Sequence, residues 1–473
     1  MFRSLDKRWL ALLVLCLGDL MIVLDTTIVN VALPSIKESL GFNETSLVWV
    51  VNAYMLTFSG FLLLGGRLGD LYGHRKLFLT GLVVFTLASL ACGIANSQFF
   101  LIAARTLQGF GGAIVAAIAL SLLMNLFTDN RERAKAMGVF GFVMAGGGSL
   151  GVVLGGFLTG AFDWHWVFLV NIPIGVAVFV LCLYLLPTSR AEDTSPHLDI
   201  GGAITITASL MLAVYAIVGG NTVGWLTLQT LGLLGASFAV FIAFLFIEQR
   251  VSAPLVPLGM FGSNNISTAS VVGILWSAAM FAWFFLSALY LQIVLGYDPM
   301  QVGLSFLPGN ILMAIFSIGL SARLVMRFGV KANITFGMLS IAVGLVLFSV
   351  APLDGKFLIH VLPGMLLLGF GAGMAFNPVL LAGTSDIPHN ESGLASGVLN
   401  TAFMMGGSLG LAILASLAAY RTESLLASGG DRVLSLLSGY HAAFFVGALL
   451  ALAAALISAL LLRSSGPQAI KAL

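Results

Sequence analysis

The sequence predicts an all-α polytopic membrane protein, built as two six-helix bundles with two extra helices between them. Three observations predict this class. The chain of 473 residues is 59% hydrophobic and only 8% charged, whereas soluble domains carry about 25% charged residues. It contains fourteen apolar stretches, most of them near or above the roughly 20 residues that a membrane-spanning helix needs. Several short motifs also recur at a spacing of about 260 residues.

The fourteen stretches follow one another with short connections, which leave no room for a separate soluble domain. The first runs from Trp9 to Leu33. It is too long for a signal peptide and lacks a small-residue cleavage site, so we expect a true span. The predicted spans are 9–33, 46–66, 77–96, 99–126, 134–160, 165–186, 200–219, 226–247, 266–295, 301–322, 332–351, 357–381, 392–419 and 440–462.

The distribution of Lys and Arg predicts the orientation. With a cytoplasmic N-terminus and alternating spans, sixteen of the 21 basic residues lie in inner segments and four in outer ones. The remaining one, Arg105, lies inside a span. Because cytoplasmic loops carry the excess of basic residues, we expect both termini in the cytoplasm.

An internal repeat predicts the domain organisation. The motif GGSLG occurs at 147–151 and again at 406–410, and other short matches keep nearly the same offset. Spans one to six therefore correspond to spans nine to fourteen, and spans seven and eight have no counterpart. Parallel six-span repeats are a known transporter plan, with the substrate path at their interface. The predicted units are a bundle at 1–190, two inserted helices at 191–255 and a second bundle at 256–473.

Two aspartates interrupt the first span. At about 1.5 Å per residue, Asp25 lies in its outer half, at a depth similar to that of Arg105 in span four. Because buried charges in membranes are usually paired or face a wet cavity, we expect these two to pair, for coupling or as a purely structural ion pair. Asp19 lies near the midplane and points about 120° away from Asp25. We expect it to hold a proton part of the time or to hydrogen-bond a neighbouring helix.

The most charged short stretch, 65–78, joins spans two and three. Its glycines allow a tight turn, and Asp70 can accept hydrogen bonds from a helix N-terminus or pair with a guanidinium. A plain positive-inside anchor is the simpler alternative. If the stretch 65–78 forms a cytoplasmic gate, the residues of that gate are Gly66, Arg67, Asp70, Gly73, Arg75 and Lys76.

Four motifs together resemble the major facilitator superfamily, and within it the fourteen-span drug/proton antiporters of the EmrB/QacA type. The matching stretches are Gly66–Lys76, Leu24–Pro34, Arg105–Ala113 with its Gln108, and 164–175, where His165 stands in place of the usual Arg. The resemblance covers essentially the whole chain. It implies proton-driven export of hydrophobic or cationic compounds across a bacterial-type inner membrane. Asp25, which the family signature includes, is the first candidate for proton coupling, with Arg105 as its expected partner. Gln108 and Asp19 are further candidates for proton coupling or substrate contact, and the resemblance lends Asp19 no support. No cofactor is implied.

Span five carries one departure from this family pattern. The antiporter motif has a proline where this chain has Val152, which lowers the motif's weight for antiport. The glycines at positions four apart still permit close helix packing. They are Gly147, Gly151, Gly155 and Gly156.

Span nine is crowded with aromatic side chains that could line a substrate cavity. Aromatic faces attract organic cations, although for each residue singly we favour an ordinary packing role. The candidate lining residues are Asn30, Trp276, Trp283, Tyr290 and Gln292.

Other functional classes fit less well. A proton-coupled importer or an exporter of one specific metabolite would share the same fold. The six histidines lack metal-ligand spacing, no nucleophile–base pair stands out, and no phosphate-binding loop is present, so we expect neither an enzyme nor a metal site. A net charge of only +2 offers no basic surface for nucleic acid. The expected partners are small molecules, protons and the lipid bilayer; a periplasmic partner is not readable from the sequence.

Overall fold

The computed structural model describes residues 7–43, 45–127, 129–186, 199–252, 254–387 and 392–463, apart from the side chains of some residues inside these ranges. Throughout these ranges the chain is helical with short connections. Every one of the fourteen predicted stretches is helical. The helix ends differ from the predicted ones by up to eight residues, because composition marks the apolar width and not the end of the helix.

The first bundle contains seven helical elements, since the sixth predicted span is divided into a single turn and a longer helix. These elements are α1 (Lys7–Leu40), α2 (Val48–Tyr72), α3 (His74–Gly93), α4 (Gln98–Leu126), α5 (Asn130–Ala161), α6 (Trp166–Leu169) and α7 (Asn171–Leu185). Helix α1 packs against α5 and α7, and α4 packs against α2 and α3.

Two further helices, α8 (Ile200–Val223) and α9 (Leu228–Arg250), follow the first bundle. Helix α8 packs against α9, α2 and α15, so α8 lies beside helices of both bundles. A short 3-10 turn at Leu258–Gly262 leads into the second bundle.

The second bundle repeats the packing of the first. Helix α10 packs against α15 and α16, and α14 packs against α11 and α13. Three π-helical turns, at Tyr290–Val294, Phe316–Leu320 and Phe357–Val361, interrupt or begin its helices. The helices are α10 (Asn264–Leu289), α11 (Pro299–Ile315), α12 (Ser321–Phe328), α13 (Val330–Ser349), α14 (Leu362–Thr384), α15 (Ser392–Ala427) and α16 (Arg432–Leu461).

Two pairs of glycines give the repeat a backbone counterpart. Gly73 and Gly329 occupy equivalent turns, between α2 and α3 and between α12 and α13, with φ of +90° and +83°. Gly41 and Gly296 follow α1 and α10, with φ of +69° and +70°. Because residues other than glycine rarely adopt positive φ, the same turn geometry requires glycine in both halves.

Within the described residues, twelve helical segments are long and apolar enough to cross a membrane by length and composition. Two shorter apolar segments, Leu150–Ala161 and Pro299–Ile315, correspond to the predicted spans five and ten. The first belongs to the 32-residue helix α5, and the second continues through a π turn into α12. The structure therefore establishes a many-span helical fold with twelve candidate spans.

Several glycines of α5 lie close against neighbouring helices. A Cβ atom on Gly155 would be 2.6 Å from the carbonyl oxygen of Ile28, and one on Gly147 would be 2.8 Å from Leu20. A Cβ on Gly156 would instead be 2.6 Å from the carbonyl oxygen of Pro299 in the second bundle. The absence of side chains at these positions therefore allows α5 to approach both α1 and α11 closely.

Candidate functional site

The centre of the first bundle holds a buried ion pair. Arg105 Nη1 on α4 donates to Asp25 Oδ2 on α1 at 2.5 Å, and the two side chains are 1% and 0% exposed. Such a pair is retained only when strong Coulomb attraction and additional hydrogen bonds offset the loss of hydration. The surroundings of both residues supply those hydrogen bonds.

Two amides complete the coordination of Asp25. Gln108 Nε2 donates to Asp25 Oδ1 at 2.7 Å, and Asn171 Nδ2 on α7 donates to the same oxygen at 3.1 Å. Both amides also donate to the Ser89 hydroxyl on α3, at 2.6 and 3.2 Å. The carboxylate thus receives three donors from two other helices.

Arg105 is held as firmly as its partner. Its Nε donates to the Val50 carbonyl oxygen at 2.9 Å, and its Nη1 also reaches Gln108 Oε1 at 2.7 Å. The guanidinium lies over the rings of Tyr54 and Phe168, 4.4 and 5.6 Å from the ring centroids. Helices α1 to α4 and α6 to α7 all contribute to this network, so a change in the charge of Asp25 would be felt throughout the bundle.

Asp19 lies apart from the network. It is buried, and its Oδ2 has no hydrogen-bond partner within the described part of the chain. Thr26 and Asn30 lie on the same side of α1, given about 100° per residue, and the Asn30 amide donates to the Thr26 carbonyl oxygen at 3.1 Å. The two carboxylates of α1 therefore have different environments, as their angular separation predicts.

An aromatic cluster in the second bundle surrounds Trp276, which lies as far along α10 as Asp19 lies along α1. The Trp276 ring is 5.2 Å from that of Phe376 and 6.0 Å from that of Phe403. Its Nε1 has no hydrogen-bond partner among the residues the structure describes. Trp276 and Asp19 are each twelve residues from the first residue of α10 and α1, about 18 Å along either helix. The two groups therefore lie at matching positions along α1 and α10.

The other candidate lining residues take part in protein packing. Trp283 packs in the second bundle against the rings of Phe306 and Phe348, and its Nε1, like that of Trp276, has no hydrogen-bond partner among the described residues. The Tyr290 hydroxyl donates to the Pro352 carbonyl oxygen at 3.0 Å. Gln292 Nε2 donates to the Val31 carbonyl oxygen at 2.9 Å, which joins the π turn after α10 to α1.

The charged turn between α2 and α3 is described only in part. Gly73 has a φ of +90°, and Arg75 Nη2 donates to the Leu183 carbonyl oxygen at the end of α7, at 2.7 Å. Lys76 is exposed, and a Cβ on Gly66 would meet no atom within 4 Å. The side chains of Arg67 and Asp70 lie outside the described residues, so their role in a gate stays a prediction.

Sequence reasoning did not single out Asn171, Ser89 and Tyr54. Asn171 lies within the motif at 164–175, which was recognised as a resemblance without a role for this residue. Ser89 and Tyr54 belong to ordinary apolar stretches, where one hydroxyl carries no distinguishing pattern. Only the packing of distant helices brings these side chains to the pair.

The chain was compared with known proteins. A family model described as Major Facilitator Superfamily matches residues 15–411. The chain is 35% identical to the puromycin resistance protein pur8 of Streptomyces alboniger, over 96% of this chain and 90% of that protein. It is 36% identical to the cephamycin export protein CmcT of Amycolatopsis lactamdurans, over 85% of this chain and 84% of that protein. It is 34% identical to the tetracenomycin C resistance and export protein of Streptomyces glaucescens, over 88% of this chain and 77% of that protein.

Solved structures share the fold at low sequence identity. The xylose transporter XylE from E. coli, in a partially occluded inward-open conformation, superimposes with a TM-score of 0.65 at 15% identity, covering 97% of this chain and 98% of that one. The human organic anion transporter MFSD10 gives a TM-score of 0.63 at 16% identity, covering 96% and 100%. At these identities the likeness concerns the fold alone.

Proposed function

Because this chain belongs to the Major Facilitator Superfamily of transporters, we propose that it exports small hydrophobic or cationic compounds in exchange for protons. The substrate would cross by alternating access between the two bundles, driven by the proton gradient without a cofactor. Three of the curated relatives described above are named for resistance to, or export of, an antibiotic, which favours export over uptake.

The observation that carries the proton coupling is the buried Asp25 network. A proton on Asp25 would cancel its charge and leave the Arg105 guanidinium without its counter-ion. The cost of an uncompensated buried charge then favours a rearrangement of α1 against α4. A carboxyl group that is ionised in one bundle arrangement and protonated in another meets the requirement for loading and releasing a proton.

The proposed substrate contacts are two buried side chains that each have a polar atom without a partner among the described residues. Asp19 offers a carboxylate oxygen, and Trp276 offers an indole N–H with neighbouring aromatic faces. A carboxylate attracts a cationic amine, and aromatic faces accept flat apolar or cationic molecules. This combination supports amphiphilic compounds as substrates.

The proposed topology follows the sequence prediction. Fourteen spans include α5 as the fifth and the segment from α11 to α12 as the tenth, with both termini in the cytoplasm of a bacterial-type cell. The bundles at 1–190 and 256–473 would move against each other, with the helices of 191–255 alongside.

The test is an efflux assay in cells that lack their own efflux pumps. Energised cells should accumulate less ethidium when the protein is present, and collapse of the proton gradient should abolish the difference. Asp25→Asn should abolish energised efflux, whereas Asp354→Asn, a change at an exposed loop carboxylate, should not. Accumulation that rises with expression would identify an importer and overturn the proposal.

Purified protein provides the direct measurement of coupling. Addition of a transported compound should release protons from the wild type and not from Asp25→Asn. If Asp25→Asn releases protons normally while Asp19→Asn does not, Asp19 is the proton carrier and Asp25 belongs to a structural ion pair.

A further inference from the structure

The inserted helices carry a pair of buried carboxyl groups that the transport mechanism does not use. Asp199 precedes α8 and Glu248 lies in the last turn of α9, at the ends assigned to the cytoplasmic side. The two residues are 3% and 4% exposed. Asp199 Oδ1 accepts from the Gly202 amide at 2.6 Å, and Glu248 Oε2 accepts from the Val256 amide at 3.1 Å.

The second oxygen of each carboxyl group has no such donor. Asp199 Oδ2 and Glu248 Oε1 are both buried without a hydrogen-bond partner in the described part of the chain. They converge on one point, since a Cβ on Gly202 would meet Asp199 Oδ2 and lie 2.8 Å from Glu248 Oε1. Two ionised carboxylates in this position would repel each other with no donor between them.

A proton satisfies this geometry better than a metal ion. The paired oxygens lie at the N-terminus of α8, where the helix dipole favours negative charge and opposes a bound cation. Calcium and magnesium require six or more oxygen ligands, and no group of three or more His, Cys, Asp or Glu able to hold a metal was found among the described residues. A single proton lets one carboxyl donate to the other and leaves both existing hydrogen bonds intact.

We propose that Asp199 and Glu248 share one proton exchanged with the cytoplasm, and that this shared proton fastens the loop after α9 to the cytoplasmic half of α2. The loop is held because Glu248 accepts from the Val256 amide, with the Leu255 amide beside the same carboxyl group. Leu255 is buried against Leu64 of α2 and Ala203 of α8.

The fastened helix is one that joins the two bundles. Leu63 of α2 lies 2.6 Å from the Cβ position of Gly397 on α15. Loss of the shared proton would leave two facing anions, weaken the hold on the loop and loosen the packing of Leu255 on α2. The site would therefore make the α2–α15 contact respond to cytoplasmic pH, independently of the proton that drives transport.

The described residues around this site carry few other charges, whereas Arg190, Glu192, Asp193 and His197, which precede Asp199 in the chain, lie outside the described residues. Arg250 at the end of α9 is exposed, and residues 251–257 contain no charged side chain. On the cytoplasmic end of α2 the charged residues are Arg67 and Asp70, whose side chains lie outside the described residues. We attribute the pH response to the carboxyl pair, which amide substitutions test directly.

The test is hydrogen exchange of the full-length protein in detergent micelles. Pro254 and Pro257 have no amide hydrogen, so a short peptide across them reports the amides of Leu255 and Val256. After correction for the intrinsic pH dependence, exchange in the wild type should become about tenfold faster or more between about pH 6 and about pH 9. The side-chain amide of Asn or Gln carries a permanent N–H in place of the shared proton. In Asp199→Asn and in Glu248→Gln, the backbone amides of Leu255 and Val256 should therefore exchange slowly at both pH values.

Asp298→Asn is the matched control. Asp298 caps α11 through the Gln301 amide and is an exposed residue, so this variant should behave as the wild type. Slow exchange of the α16 amides would show that each variant is folded. If one of Asp199→Asn and Glu248→Gln does not fold, the other still tests the proposal. A wild type whose exchange is equal at both pH values, or amide variants that keep the pH dependence, would refute the proposal. Protection restored by Na⁺, K⁺ or Mg²⁺ at the higher pH would identify a cation site instead, and would also refute it.

Discussion

Replacing Asp25 with Asn tests whether the buried pair is ionised in the conformation described here. Asn keeps the Oδ1 position, which can still accept from Gln108 and Asn171. Its new NH₂ group faces Arg105 Nη1, so a donor meets a donor where a 2.5 Å charged hydrogen bond existed. The guanidinium retains the Val50 carbonyl oxygen and Gln108 Oε1 as acceptors but has no counter-ion.

The size of the effect follows from these contacts. Removing one partner of a buried pair costs about 3–5 kcal/mol because the other charge stays buried. Since two of the three hydrogen bonds to the side chain can persist, we expect the free energy of unfolding to fall by about 3 kcal/mol. Adding Arg105→Gln removes the remaining charge, so the double variant should be less destabilised than the two single variants added together, by about 1–3 kcal/mol.

The assay is titration of the purified protein with dodecyl sulfate in mixed micelles, followed by intrinsic fluorescence. Asp354→Asn, an exposed loop carboxylate, serves as the control and should unfold as the wild type does. If Asp25→Asn also has the wild-type free energy of unfolding, Asp25 is neutral in this conformation and the ion-pair argument fails. An additive double variant would show that the two side chains do not interact.

Three further predictions concern other sites. Asp19→Asn should reduce efflux of cationic dyes more than that of neutral ones; equal efflux of both classes would remove Asp19 from substrate recognition. Gly155→Ala should destabilise the protein, since its Cβ would lie 2.6 Å from the Ile28 carbonyl oxygen. Gly148→Ala, with no atom within 4 Å, should be neutral or stabilising by up to about 1 kcal/mol, and the same titration compares them. Asp70→Ala should increase labelling of engineered cysteines from the cytoplasm and reduce transport without loss of folded protein; unchanged labelling with normal transport would leave Asp70 without a gating role.

Local composition was enough to identify the helices of this protein. A run such as Trp9–Leu33 must be helical within a bilayer because its backbone groups have no water to bond. The structure extends this helix to Lys7–Leu40, since a helix continues beyond the apolar width that composition marks. The glycine turns could also be predicted from local sequence, because a positive φ at Gly73 or Gly329 is a property of a single residue.

Part of the candidate site could also be predicted from the sequence. A carboxylate and a guanidinium within apolar spans are too costly to leave unpaired, and span direction with helical rise placed Asp25 and Arg105 at one depth. The separation of Asp19 from Asp25 followed from the helical angle alone. These inferences use distances along helices, which sequence position specifies.

Contacts between helices depended on the tertiary structure. Asn171 is 146 residues from Asp25 in the chain, and the motif at 164–175 that contains it does not show which side chain it contacts. Likewise, the aromatic pattern of span nine could not show which rings each tryptophan contacts, although the structure places Trp276 against Phe376 and Phe403. Asp199 and Glu248 meet only because α8 and α9 lie side by side. A single sequence specifies how far along a helix and at what angle a side chain lies, but which helix it faces is decided by the packing of the whole chain.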